Sequence, residues 1–168
     1  MDKIVFITGA SSGIGAGCAR KFASQGASLI LNARNVNKLS ALKEELEKQY
    51  GAKIYLLPFD VRDRKAATSA LESLPKEWQS IDILVNNAGL VIGTDKEQEG
   101  SLDEWDIVID TNIKALLAMT RLIVPGMVER KRGHIINIGS IAGDAAYPGG
   151  SVYCATKAAV KALSDGLR

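Results

Sequence analysis

The sequence predicts an α/β fold in which a doubly wound parallel sheet is covered by helices on both faces. Short apolar runs of strand length recur along the chain and alternate with longer segments of helical periodicity. Such alternation gives a parallel sheet with right-handed crossovers, because each helix returns the chain to the same edge of the sheet. The length of 168 residues suits one domain with a buried core.

The first strand is predicted at residues 4–7, a continuous apolar run typical of a strand that is buried on both faces. A glycine-rich stretch at 8–15 and then a helical segment follow it. Glycines allow a tight turn and a close backbone approach to a pyrophosphate, and the N-terminus of the next helix offers free N–H groups. The G-x-x-x-G-x-G spacing of Gly9, Gly13 and Gly15 therefore predicts nucleotide binding, whereas the turn without its flanking strand and helix would have no such meaning.

The second strand is predicted over 28–33 and leads to Arg34, 19 positions beyond Gly15. An NAD-binding fold places an acidic residue near this distance to bind the ribose 2′-hydroxyl, whereas an arginine accommodates a 2′-phosphate. Neither Ala33 nor Arg34 is acidic, so the sequence favours NADP over NAD. The alternative is that Arg34 is a solvated residue at a strand end.

The remaining elements continue the alternation of strand and helix. Ser101 and Glu104 have the spacing of a capping box that opens a helical region, and Pro125 is expected to kink or divide that region. The predicted elements are a helix with Leu39, Leu42 and Leu46 inward, a strand at 54–57, a helix at 64–74, a strand at 81–85, a helical region from 101 to about 131, a strand at 134–138, and a helix from Ser151.

Polar residues stand where several predicted strands end, namely Asp60, Asn86, Asn87 and Ser140. In open α/β sheets, ligands bind at the carboxyl ends of the strands, so these residues are candidates for one site. Two consecutive asparagines are costly to bury unless their amides are hydrogen-bonded. Asn86 and Asn87 therefore either tie neighbouring strands together or line a ligand cleft.

The last predicted helix carries Tyr153 and Lys157, which lie four positions apart and so on one face. A phenol is a poor acid-base catalyst at neutral pH, but a positive charge within about 4–6 Å favours its ionised form. The pair is a candidate proton donor. Since a Tyr-x-x-x-Lys arises readily by chance, its weight depends on the nucleotide-binding half that precedes it.

Composition and charge argue against several classes of protein. The net charge of +2 indicates no nucleic-acid or membrane partner. The sequence shows no apolar run of about 18 residues and no signal-peptide pattern, so a cytoplasmic location is expected. Cys18 and Cys154 lack metal-ligand spacing and are predicted to be packing residues, and His134 is predicted to be structural. No metal site is predicted.

Taken together, the motifs resemble those of the short-chain dehydrogenase/reductase family over essentially the whole chain. The resemblance implies a Rossmann-type sheet and an oxidoreductase that transfers a hydride between NADP(H) and a small alcohol or carbonyl substrate. Stretches at 74–78, 125–130 and 137–140 look like NADP-dependent 3-hydroxy acid dehydrogenases that also oxidise serine-type substrates. A carbonyl reductase of other specificity and a non-catalytic nucleotide-binding module stay open. The matching motifs are Thr8-Gly9-x-x-x-Gly13-x-Gly15, Asn86-Asn87-Ala88-Gly89, Asn112, Ser140 and Tyr153-x-x-x-Lys157.

The resemblance also implies roles for individual residues. Ser140 would hydrogen-bond the substrate oxygen, and Tyr153 would exchange its proton. Lys157 would promote ionisation of Tyr153 and hold the nicotinamide ribose, and Asn112 would anchor a water in the proton relay. Asp60 and Val61 would border the adenine ring, and Asn86, Ala88 and Gly89 would line the ribose side. The expected cofactor-binding residues are Gly9, Ser11, Ser12, Gly13, Ile14, Gly15, Arg34, Asp60, Val61, Asn87, Ala88, Gly89, Tyr153 and Lys157.

One departure from the family concerns length. Family members normally continue with two further strands and a mobile segment that covers the substrate, whereas this sequence stops at Arg168. We therefore expect a single dinucleotide-binding and catalytic domain over 1–168 whose C-terminal part is missing, with the fifth strand as an unpaired edge. The resemblance also implies a homodimer or homotetramer formed through the helices containing residues 113–117 and 155–163. Their apolar surfaces exceed what one-sided packing requires, and the alternative is packing against the sheet.

Overall fold

Five strands pair in parallel in the computed structural model, which describes residues 3–167. Their spatial order is third, second, first, fourth, fifth. The order reverses between the first and fourth strands, so a crevice opens at the carboxyl ends of these two neighbours. The strands are β1 (Ile4–Ile7), β2 (Ser28–Leu31), β3 (Ile54–Leu56), β4 (Ile81–Asn86) and β5 (His134–Asn137).

Helices connect successive strands and cover both faces of the sheet, so the predicted doubly wound α/β fold is confirmed. Short 3-10 turns lie at Lys76–Trp78 and Ile141–Gly143, and a π-helical segment lies at Asp110–Lys114. The α-helices are α1 (Gly13–Ser24), α2 (Val36–Tyr50), α3 (Arg64–Glu72), α4 (Leu102–Ile109), α5 (Ala115–Glu129) and α6 (Ser151–Gly166).

Alternate residues of β1 face opposite helical layers. Val5 and Ile7 belong to an apolar cluster with residues of α1 and α2, whereas Phe6 packs with residues of α3 and α5. All three side chains are fully buried. Burial on both faces explains why this strand is apolar at every position rather than at every second one.

The predicted boundaries lie close to the observed ones. β2 ends at Leu31 rather than at residue 33, and β5 ends at Asn137 rather than at 138. The serine half of the predicted capping box is confirmed, because the Ser101 side chain accepts a hydrogen bond from the backbone N–H of Glu104 at 3.4 Å and Ser101 is the N-cap of α4. β5 lies at one edge of the sheet and is partly exposed, as predicted.

Pro125 does not divide the long helical region, and the alternative of a kink at Pro125 stays a prediction. Helix α5 continues across Pro125 to Glu129, and the change of winding falls at the π-helical segment 110–114 instead. Arg121, whose carbonyl loses its helical partner at Pro125, is an exposed residue, so solvent can supply the missing bond. Within residues 3–167, no helix is both long and apolar enough to span a membrane.

Candidate active site

The glycine turn between β1 and α1 packs directly against the loop that follows β4. Gly9 and Gly13 have φ angles of +63° and +51°, a left-handed conformation that favours glycine. A Cβ atom on Gly9 would lie 2.9 Å from Cα of Ala88, and one on Gly15 would lie 2.3 Å from the carbonyl oxygen of Gly9. The turn therefore needs glycine at 9 and 15 for close approach.

Hydrogen bonds from Asn87 hold this turn in place. Its Nδ2 donates to the carbonyl oxygens of Thr8 and Gly9 at 2.9 and 3.0 Å. In return, the Thr8 hydroxyl accepts from the backbone N–H groups of Asn87 and Ala88, each at 3.0 Å. These bonds lock together the carboxyl ends of β1 and β4, where the crevice of the sheet begins.

Asn86 has a different position from the one expected. Its side chain is buried, and Nδ2 donates to Oγ1 of Thr120 at 3.1 Å and to Oδ1 of Asn137 at 2.9 Å. Asn86 therefore ties β4 to α5 and β5, and it does not line the cleft. Asn86 realises only the first alternative for the asparagine pair, whereas Asn87 realises both, because it lines the cleft and also ties β4 to the turn after β1.

A cleft of about 1010 Å³ runs along the carboxyl ends of the strands. It reaches from the glycine turn and the first residues of α2 to the Tyr153 end of α6. Gly15, Asn112 and Ser140 do not contribute to its wall. The expected site residues that do line it are Gly9, Ser11, Ser12, Gly13, Ile14, Arg34, Asp60, Val61, Asn87, Ala88, Gly89, Tyr153 and Lys157.

One end of the cleft is rich in charge. Arg34 and Lys38 line it beside Asn35, whose side chain caps α2 by accepting from the backbone N–H of Lys38 at 3.0 Å. Asp60 faces this corner and forms hydrogen bonds with Arg62. Those side-chain bonds hold the pKa of Asp60 below its ordinary value, although partial burial opposes them. Asp60 is therefore an anion at neutral pH.

Sequence reasoning did not identify Lys38, Asn35 or Arg62 as residues of this cleft. Asn35 and Lys38 could have been found from the N-cap signal, since an asparagine before an amphipathic segment marks the start of a helix whose first turn faces the strand ends. Arg62 follows Asp60 by two positions, a spacing that permits an ion pair in a turn.

At the other end of the cleft, Tyr153 and Lys157 lie one turn apart on α6, as predicted. Nζ of Lys157 lies 5.9 Å from the centroid of the Tyr153 ring. The ammonium group donates to the carbonyl oxygen of Ile138 at 2.9 Å, and Lys157 is 8% exposed. This burial lowers the pKa of Lys157 from its ordinary value, because a low-dielectric environment disfavours the charged form.

Ser140 follows the Gly139 that lines the cleft and is partly buried. Its Oγ accepts a hydrogen bond from the backbone N–H of Ala142 at 3.1 Å and so caps the turn Ile141–Gly143. A Cβ atom on Gly143 would lie 2.8 Å from the backbone of Lys157, so this turn packs tightly against α6. The Ser140 hydroxyl keeps its own hydrogen for another acceptor.

Asn112 lies in the π-helical segment and is 2% exposed. Its Oδ1 accepts from the backbone N–H of Leu90 at 2.9 Å, and its Nδ2 donates to the Leu90 carbonyl at 2.9 Å and to Thr156 Oγ1 at 3.0 Å. The Thr156 hydroxyl then donates to the carbonyl oxygen of Tyr153 at 2.7 Å. The Asn112 side chain thus joins the loop after β4 to α6, and its expected contact with a relay water stays a prediction.

A family model and curated relatives both match this chain, and they point to the same family. The family model described as short chain dehydrogenase matches residues 3–168. NADP-dependent 3-hydroxy acid dehydrogenase YdfG of Escherichia coli K12 is 50% identical over 165 residues, and NADP-dependent 3-hydroxy acid dehydrogenase of Schizosaccharomyces pombe is 44% identical over 167 residues. These alignments cover 98% and 99% of this chain but 65% and 64% of the relatives. The chain thus spans about two thirds of the length of the curated relatives it matches.

Solved structures agree with this result. The crystal structure of serine dehydrogenase from Escherichia coli superposes with a TM-score of 0.93 at 50% identity, covering 98% of this chain and 74% of that one. The closed form of serine dehydrogenase complexed with NADP+ gives a TM-score of 0.91 at 48% identity, covering 98% of this chain and 65% of that one. The chain belongs to the short-chain dehydrogenase family.

Proposed function

We propose that this chain is the dinucleotide-binding and catalytic domain of an NADP-dependent oxidoreductase that acts on a CH–OH group of a small substrate. The observation that carries the proposal is a cleft that the glycine turn and the Tyr153–Lys157 pair share. It is lined at one end by the glycine turn and Arg34, and at the other end by Tyr153 and Lys157. A cofactor in this cleft would therefore reach from a phosphate-binding corner to a proton donor.

The residues present fit an NADP cofactor. A Cβ on Gly13 would meet no atom within 4 Å, so open space lies over the turn where a pyrophosphate must approach. Ser12 precedes α1 and makes no side-chain capping bond, which leaves N–H groups of the first helical turn for an anion. The Arg34 side chain is 67% exposed. Arg34 and Lys38 would hold the 2′-phosphate, and Asp60 and Val61 would border the adenine.

The groups at the α6 end can supply the proton chemistry. A bound nicotinamide supplies or accepts the hydride, and the protein orients it and manages the proton. When a carbonyl is reduced, negative charge develops on its oxygen, and the hydroxyl groups of Ser140 and Tyr153 would stabilise that charge. The ammonium of Lys157 would stabilise the phenolate left on Tyr153. Asn112 would hold α6 in register through Thr156.

The substrate class rests on the relatives. Those quoted above are named as 3-hydroxy acid dehydrogenases, and the aligned structures are named as serine dehydrogenases. We infer that a small 3-hydroxy acid is the substrate of this protein. A preference for unrelated ketones over every 3-hydroxy acid tested would indicate a carbonyl reductase of other specificity.

Activity measurements test the proposal. We expect NADP+ reduction with 3-hydroxy acids to fall by about 10²–10⁴-fold in Tyr153→Phe, while NADPH binding is retained. Tyr50→Phe is the matched control, because Tyr50 lies at the exposed end of α2. Full activity in Tyr153→Phe would contradict the assigned proton donor, and cofactor binding with no turnover of any alcohol would identify a nucleotide-binding module instead.

Cofactor choice has a separate test. We expect NADPH to bind more tightly than NADH to the wild-type protein, and Arg34→Asp to reverse that order, because the carboxylate repels a 2′-phosphate and accepts a bond from a 2′-hydroxyl. Equal affinities in the wild-type protein would show that the argument from Arg34 is wrong.

We also propose that the protein self-associates through α5 and α6. Leu117 on α5 is 43% exposed, and α6 presents exposed alanines at 155, 158 and 162. Such apolar helix faces suit a homodimer or homotetramer. Light scattering should report a lower mass for Leu117→Asp than for the control Val36→Asp, which changes an exposed apolar residue on α2. A monomeric wild-type protein would refute the proposal.

A further inference from the structure

Arg62 donates hydrogen bonds to both oxygens of the Asp60 carboxylate. Its Nε lies 3.1 Å from Oδ1 and 3.2 Å from Oδ2, and its Nη2 lies 2.7 Å from Oδ2. The backbone N–H of Arg62 adds a bond to Oδ1 at 3.0 Å. Charge-assisted bonds of this forked kind are among the stronger hydrogen bonds in proteins. Both oxygens of Asp60 are therefore committed to one neighbour.

Arg34 also lies near this carboxylate. Its Nη1 is 3.9 Å from Oδ2 of Asp60, which is within ion-pair distance but beyond hydrogen-bond distance. The Arg34 side chain is 67% exposed, whereas that of Arg62 is 30% exposed. Two guanidinium groups thus compete for one anion, and the geometry assigns the anion to Arg62. Arg34 lines the cleft, and its side chain is largely exposed there.

We propose that Arg62 determines the preference for NADPH over NADH indirectly, by keeping the Asp60 carboxylate from forming hydrogen bonds with Arg34. This inference rests on the proposed function. Arg62 is a positioning residue in this account, since it acts through Asp60 and Arg34. It deepens the prediction made from Arg34, because an arginine at the end of β2 can bind a 2′-phosphate only if no carboxylate of the protein already occupies it.

Loss of Arg62 would weaken the binding of NADPH in two ways. The released carboxylate of Asp60 would need to move only a short distance to pair with Arg34, and the phosphate would then compete with it. The carboxylate would also lose its neutralising partner and repel a phosphate nearby. NADH would be affected much less, because its 2′-hydroxyl can donate a hydrogen bond to a free carboxylate.

Equilibrium binding of NADPH and NADH to the purified variants tests the inference. We expect the ratio of the NADH Kd to the NADPH Kd to fall roughly five- to ten-fold in Arg62→Met. Arg62→Lys keeps the charge without the fork and should lie between Arg62→Met and the wild type. Adding Asp60→Asn to Arg62→Met should restore the ratio, because a neutral amide no longer captures Arg34.

Arg64→Met is the matched control. Arg64 is exposed at the first turn of α3 and lies two positions further along the chain, so its substitution removes the same formal charge. We expect it to leave the ratio unchanged. An equal fall of the ratio in Arg64→Met would show a general effect of charge and would overturn the inference.

The remaining outcomes are decisive as well. An unchanged ratio in Arg62→Met, or in Arg62→Lys if the first variant does not fold, overturns the inference. A lowered ratio that Asp60→Asn does not restore also overturns it, because Arg62 would then contact the phosphate itself. A wild-type protein that binds neither nucleotide refutes the proposed function, whereas one that binds both but prefers NADH overturns this inference.

Discussion

Two glycines of α1 lie two positions apart and should respond in opposite ways to the same substitution. A Cβ atom on Gly17 would meet nothing within 4 Å, whereas one on Gly15 would lie 2.3 Å from the Gly9 carbonyl oxygen and 2.5 Å from Asn87 Nδ2. Alanine is favoured over glycine in a helix by about 1 kcal/mol. We therefore expect Gly17→Ala to stabilise the protein by about that amount.

Gly15→Ala has the same gain in helix propensity but must make room for the new methyl group. Overpacking costs about 1–3 kcal/mol. If the Asn87 amide moves away, its two bonds to Thr8 and Gly9 weaken, at about 1 kcal/mol each. Subtracting the propensity gain leaves a net loss of about 2–4 kcal/mol. The two variants should thus differ by about 3–5 kcal/mol.

Urea unfolding followed by far-ultraviolet circular dichroism gives this difference from the two midpoints. For a chain of this size, each kcal/mol shifts the melting temperature by about 2–4 °C, so thermal unfolding checks the result independently. A Gly15→Ala protein as stable as the wild type would refute the claim that the turn packs tightly against the β4 loop. Equal responses of both glycines would show that helix propensity alone governs this segment.

Three further substitutions probe buried or partly buried polar groups at or near the cleft. Thr156→Val should cost about 1–3 kcal/mol in urea unfolding, because an Asn112 donor loses its partner, and Thr156→Ser should restore most of it. Lys157→Met should abolish turnover yet raise the free energy of unfolding by about 1 kcal/mol, since burial disfavours the charged ammonium. A lower free energy of unfolding would mean that the hydrogen bond from the ammonium to the Ile138 carbonyl outweighs the cost of burying it. Asp60→Asn should reduce the decrease in the free energy of unfolding that occurs at low pH. The pKa of Asp60 is lowered in the folded state, so below about pH 4 the unfolded chain binds more protons than the folded chain, and the stability of the wild-type protein falls as the pH falls. Equal curves of unfolding free energy against pH for the variant and the wild type would contradict this.

Much of the architecture follows from local patterns in the sequence. A strand buried on both faces must be apolar throughout, and β1 is. Helix starts are marked by side chains that cap backbone N–H groups, and Asn35, Asp63 and Ser101 all do so. These signals depend on neighbours within one turn of helix, so they can be read without knowing the rest of the fold.

The roles of Asn86 and Asn87, in contrast, could not be predicted from local sequence. Asn86 and Asn87 are adjacent, and nothing local distinguishes them. Asn86 is the last residue of β4, and its side chain bonds to Thr120 and Asn137, which lie 34 and 51 positions away. Asn87 bonds to Thr8, 79 positions away. The choice between tying strands and clamping the turn depends on the face of the sheet from which each side chain projects.

The position at which the helical winding changes also could not be predicted from the sequence, and the reason is physical. Proline removes one hydrogen bond, a loss that an exposed helix face tolerates, so α5 continues across Pro125. The π-helical segment instead occurs where Asn112 bonds to Leu90 and Thr156 from two other elements. An extra residue in a helical turn at such a point has no signature in residue propensities.

By itself, the sequence determined the order of strands and helices, the glycine turn, and the two residues Tyr153 and Lys157 on one helical face. These depend on periodicity and on spacings of a few residues. Only the tertiary structure decided that Arg34, which is remote from Asp60 in the chain, lies beyond hydrogen-bond distance of the Asp60 carboxylate, and that Asn112 joins α6 to the loop after β4. These two arrangements depend on distances between segments that are remote in the chain, and those distances are set by how the helices pack on the sheet.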